Sequence, residues 1–120
     1  MTFEKVRRFA LSLPETTEEP HFDKWSARVL GKIFVTAPTD GKHVHVFVDE
    51  DQTAAAIASK PAAFEELWWG KKLSGVRVVL AAADASAVFA LVEMAWRRKA
   101  PRRLVASVDS RGAGTRKRAR

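Results

Sequence analysis

Phe3, Val6, Ala10 and Leu13 recur at three- and four-residue spacing, while Glu4 and Arg8 lie at i,i+4 on the other side; the pattern predicts a helix over 3–13. Thr2 is placed to cap it and Pro14 to end it. Glu15-Thr16-Thr17-Glu18-Glu19-Pro20 has no apolar period and reads as a connector. A two-residue period follows. Trp25, Ala27 and Val29 alternate with Ser26 and Arg28, and Gly31-Lys32 reads as a two-residue turn onto a strand over 33–37. Pro38-Thr39-Asp40-Gly41-Lys42 reads as a second turn, after which Val44, Val46 and Val48 alternate with His43, His45 and Phe47. Two successive hairpins predict an antiparallel meander with one apolar and one mixed face.

Asp49-Glu50-Asp51 suits the start of a helix over 52–59, where acids meet the positive end of the dipole. Pro61 reads as restarting a short helical piece over 62–68, stopped by Gly70. Val76, Val78 and Leu80 alternate with Arg77 and Val79 in a strand over 75–81, and the periodicity leaves 71–74 open between strand and loop. Asp84 is placed to cap a long helix to Lys99 with Val88, Val92 and Ala95 as its apolar stripe, flanked by Phe89 and Trp96, and Pro101 closes it. The order predicts an α+β fold, a single domain of helices on an antiparallel sheet meander. Residues 1–106 form that domain. Residues 107–120 form a basic tail expected to be disordered, since core-forming residues give out after Val108.

Composition narrows the function classes. The chain has 120 residues, enough for one core, and 47% of them are hydrophobic. It has no cysteine, which removes disulfides, Cys-ligated zinc, iron–sulfur clusters and thiol catalysis. No apolar run is long enough to span a bilayer and the start lacks the plan of a signal peptide, so the expectation is a soluble cytoplasmic protein with no membrane partner. Net charge is +7, but residues 1–96 sum to −2 and residues 97–120 to +9. An anionic partner is implied for the tail directly, and for the body only if its cations gather on one side.

Residues able to do chemistry are few. His43 and His45 share a strand face, and a third ligand would be needed to hold a metal; two imidazoles on a polar hairpin face are the commoner outcome. There is no Gly-x-Ser-x-Gly, no phosphate loop around Gly70-Lys71-Lys72, and the acid pairs Glu65-Glu66 and Asp49–Asp51 suit capping and solvation. The expectation is no enzyme, no catalytic residue, no metal and no cofactor. Trp68-Trp69 next to Lys71, Lys72 and Arg77 offers rings beside cations, a mixture suited to phosphate contact. In a helix one indole would be buried and the other left over a groove or contact surface.

Several stretches resemble the MmcQ/YjbR family. Leu11-Ser12-Leu13-Pro14-Glu15-Thr16-Thr17-Glu18 is similar to its "LPGTTE" opening, and His21-Phe22 with Arg28-Val29-Leu30-Gly31-Lys32-Ile33-Phe34 to its first hairpin. Trp69-Gly70-Lys71 with Gly75-Val76-Arg77-Val78, then Ala95-Trp96-Arg97 and Ala100-Pro101-Arg102-Arg103-Leu104, resemble its later stretches. The likeness covers roughly residues 1–106. It implies a small α+β fold related to secretion-chaperone-like domains, no cofactor, and a role in double-stranded DNA binding through paired hairpin wings. That role falls on Lys32, Lys71 and Arg77. Where the family often has an aromatic residue after Lys71, this chain has Lys72-Leu73-Ser74, which leaves Trp69 as the nearest ring.

Two functions are therefore weighed. The first is a non-enzymatic, largely sequence-independent binder of double-stranded DNA. It would use Lys32, Lys71, Lys72, Arg77 and Trp69, with Arg116, Lys117, Arg118 and Arg120 as an electrostatic anchor. The second is a protein-interaction or adaptor module with a protein partner and no nucleic-acid function.

Overall fold

The computed structural model describes the backbone of residues 1–119 and the side chains of residues 1–110. Helix α1 (Phe3–Ser12) starts where the Thr2 hydroxyl accepts the Lys5 amide, and buries Val6 and Ala10. It ends at Leu13, whose amide returns to the Ala10 carbonyl just before Pro14.

Strand β1 (Thr16–His21) occupies the stretch that the hydropathy pattern reads as a connector. It is an outer strand whose side chains are mostly exposed, so no apolar alternation marks it. Pro20 is tolerated there because an edge strand has unpaired positions for a residue without an N–H. Side chains fasten the edge: Arg7 on α1 donates twice to Glu18, at 2.8 and 2.7 Å, and the Trp25 indole donates to the same carboxylate at 2.8 Å.

Strands β2 (Lys24–Val29) and β3 (Lys32–Ala37) form the first predicted hairpin, with Val29 opposite Lys32. The turn is therefore Leu30-Gly31, one residue earlier than the pattern predicts. Both residues have positive φ, 47° and 85°, the geometry that matches the twist of a two-residue hairpin. A bulge between Ala27 and Arg28 leaves Phe34 as the extra residue on β3, and Phe34 and Val35 are both fully buried. Strand β4 (His43–Val46) follows, then α2 (Glu50–Ser59), whose capping box joins Asp49 and Gln52.

Strand β5 (Phe64–Trp69) replaces the short helix expected after Pro61. Phe64 joins the main core and Leu67 does not, so their spacing of three records two sheet faces rather than one helical stripe. A bulge between Leu67 and Trp68 further breaks the period. Strand β6 (Lys72–Val79) pairs with it across Gly70-Lys71, which settles residues 72–74 as strand. Helix α3 (Ala85–Lys99) follows a short 3-10 turn over Leu80–Ala82; Asp84 precedes it without a capping hydrogen bond.

Helix α4 (Arg102–Ala119) continues the backbone through most of the segment expected to be disordered. Its first turns have a reason to form. Leu104, Val105 and Val108, at helical spacing, lean on the core, and Asp109 meets Arg97 at 2.7 Å.

The fold is α+β, a six-stranded antiparallel sheet in the order β1-β2-β3-β4-β6-β5 with four helices. The core lies between one sheet face (Val35, Val44, Val46, Val76, Val78) and Val6, Val88, Val92 and Trp96 of the helices. The Trp96 indole is buried with its N–H on the Pro14 carbonyl at 3.0 Å.

Candidate nucleic-acid interface and the polar face

Strand direction alternates across the whole sheet, so β3 and β6 start at the same end and β4 and β5 finish there. Both hairpin turns, Leu30-Gly31 and Gly70-Lys71, therefore project from one end. Only β4 lies between β3 and β6, which puts Lys32 and Lys72 on strands roughly 10 Å apart. The C-terminus of α3 comes to that end too, where the Arg98 guanidinium donates to the Phe47 carbonyl at 3.2 Å. Three cations, Arg97, Arg98 and Lys99, complete the last turn of α3 and suit its negative dipole end.

This brings Lys32, Lys72 and Arg98 within electrostatic reach of Lys99. The Lys99 ammonium is held below its ordinary pKa, first by partial burial and then by Arg98, Lys72 and Lys32. Among the described residues no carboxylate lies within ion-pair distance of Lys32, Lys71, Lys72, Arg98 or Lys99.

Trp68 and Trp69 are both exposed, contrary to the expectation that one is buried. Adjacent strand residues point to opposite faces, and this pair sits at the end of an outer strand where neither face is covered. Trp69 stands edge-on to Phe47, ring centres 6.4 Å apart, while the Trp68 indole leans to Glu66 at 3.5 Å.

Arg77 lies elsewhere. It belongs to a polar row that crosses all six strands in register: Glu19, Ser26, Thr36, His45, Arg77, Glu65. This row occupies the sheet face turned away from the core. Arg77 sits 3.8 Å from Glu65 and 3.5 Å from the His43 ring, so the mid-sheet register and a carboxylate neighbour remove it from the hairpin-end group. At the other end of the row Ser26 is fully buried and donates to the Glu19 carbonyl at 2.6 Å, with Arg28 3.7 Å from the Glu19 carboxylate.

His43 and His45 do share this face. His43 Nδ1 is 2.8 Å from Asp40, whose carboxyl is held at about 2 by the Lys42 amide first and by His43. His45 is different. Burial lowers its pKa to about 4, with Arg77, Lys24 and His43 adding to the effect, and its Nε2 is buried with no partner. Among the described residues no group of three His, Asp or Glu side chains comes together to hold a metal.

His45 lines a cavity of about 220 Å³ on the same face, with Thr36, Ile33 and Lys24 from the sheet and Phe47, Trp69 and Lys99 toward the hairpin end. Lys24, Phe47, Arg98 and Lys99 escaped the sequence reading. Arg98 and Lys99 were legible as cations, but their charge counted with the C-terminal excess although they belong to α3. Nothing in the local pattern sets Lys24 apart. The side chains of Arg116, Lys117 and Arg118, and all of Arg120, lie outside the described residues.

No helix among the described residues is long and apolar enough to cross a membrane. The family model described as YjbR matches residues 11–98, which takes in β1, both hairpins and nearly all of α3. The Ala100–Leu104 run lies beyond the match. No curated protein and no solved structure matches the chain.

Proposed function

The chain belongs to the YjbR family, and on that premise we propose that it is a non-enzymatic protein that binds double-stranded DNA by its phosphates. Five cations carry this reading: Lys32, Lys71 and Lys72 of the two hairpins, and Arg98 and Lys99 closing α3. They converge on one end of the sheet without carboxylate partners among the described residues. Partial burial first, and then the like charges of Arg98, Lys72 and Lys32, depress Lys99, and phosphate oxygens would relieve the repulsion. The roughly 10 Å between the strands that carry Lys32 and Lys72 falls within the width of the grooves of B-DNA, about 6 to 12 Å. Trp69, exposed beside them, supplies a ring that can rest on sugar or base. Among the described residues no helix presents a row of Arg, Asn or Gln to a groove, which favours contacts largely independent of sequence.

Anisotropy of a labelled duplex, titrated across salt concentrations, tests the proposal. Three lost phosphate contacts should lower the slope of log affinity against log salt by about 2.7 in a Lys32→Ala/Lys72→Ala/Lys99→Ala variant. An unchanged slope would defeat it. Binding that disappears on truncation after Ser110, and ignores the triple variant, would leave the body as a protein-interaction module.

A further inference from the structure

The cavity on the polar face has a chemistry of its own. Two lysines, Lys24 and Lys99, line it together with His21, and among the described residues no carboxylate does. Neither lysine has an ion-pair partner among the described residues. Trp69 and Phe47 line it from the hairpin end, their rings inclined to each other at 62°. His45 lines it as well. At about 220 Å³ the space is below that of a drug-sized site, and one or two fused rings would fill it.

We propose that this cavity binds a small organic anion built on a flat ring system. Lys24 and Lys99 answer its carboxylate or phosphate, and Trp69 and Phe47 contact its ring, with His45 in the cavity wall. The absence of acids from the lining sets the sign of the ligand's charge, and the aromatic pair sets its shape. This site stands apart from the duplex reading: it shares Lys99 and Trp69 with the hairpin end, but Lys24 and His45 belong to the sheet face.

Three probes of one shape test the proposal on the full chain by calorimetry: 2-naphthoate, 2-naphthyl phosphate and the uncharged 2-naphthalenemethanol. At least one anion should bind about tenfold more tightly than the alcohol, and the tighter one identifies the charged group. Lys24→Ala and Lys99→Ala should each weaken that anion about fivefold or more, with Lys60→Ala, remote from the cavity, unchanged. Lys24→Ala should leave duplex binding as it was, so the two readings fail separately. Equal affinity for acid and alcohol, no saturable binding of either anion, or full affinity in both lysine variants would overturn the site. The comparison of acid with alcohol uses the unaltered chain and does not depend on how any variant folds.

Discussion

Acidification from about pH 7 to about pH 5 should destabilise the folded chain through His45, in a window where few other groups act. Burial lowers this imidazole from 6.5 to about 4; Arg77, Lys24 and His43 push the same way and Asp40 opposes them. Between those two values the unfolded chain binds more protons at this position than the folded one does. Stability is therefore complete above 6.5, declines as the pH falls, and levels off below about 4. At 1.36 kcal/mol per pKa unit the full shift is worth about 3 kcal/mol, and water in the open cavity trims this to about 2 kcal/mol. Carboxylates act lower. Glu18 is held at about 2 by Arg7 first and by the Trp25 indole, and Asp40 at about 2 by the Lys42 amide and His43, so their stabilisation is lost only below 4.5 and 3.8. Urea unfolding at about pH 7, 6 and 5 reads the effect directly, with His45→Gln as the comparison. Wild type should lose between about 1 and 2 kcal/mol over that range and the variant markedly less. Parallel declines in the two proteins would refute the assignment, whatever the absolute stability of the variant.

Gly75 has φ +154°, and a Cβ there would run into the Val46 carbonyl oxygen, so Gly75→Ala should cost about 3 kcal/mol or more in urea melts. Trp96→Ala empties the largest fully buried side chain and leaves the Pro14 carbonyl only the Thr16 hydroxyl at 3.4 Å, an expected loss of about 3 to 5 kcal/mol by the same assay. The Arg97–Asp109 pair at 2.7 Å is half-exposed, so Asp109→Ala should change stability by about 1 kcal/mol or less. Truncation after Ser110 keeps that pair and the apolar contacts of Leu104, Val105 and Val108, and should leave the melting temperature within about 2 °C of the full chain.

Elements that bury one face were legible from residue order alone. Period 3.6 marked α1 and α3, and strict alternation marked β2 and β4, with β3 read from the turn before it, because a half-buried element writes its periodicity into the chain. β1 and β5 were not legible for the opposite reason. An outer strand buries little, so Thr16–His21 shows only polar residues, and the two-faced burial of Phe64 and Leu67 imitates a helix. Local order thus identified the α+β class, the family likeness, and Lys32, Lys71, Lys72 and Trp69 as candidates.

Convergence belonged to the tertiary structure. Whether two hairpin turns 40 residues apart share an end depends on how many strands separate them and which way each runs, and no local pattern records that. The same topology withdrew Arg77 to the middle of the sheet beside Glu65, and added Arg98 and Lys99 from a helix terminus. It also aligned six polar residues from six strands into one row with a partnerless His45 at its centre. Residue order sets what each segment can bury; charges from distant segments meet only once the sheet has paired, and the potential they create depends on those distances rather than on their order.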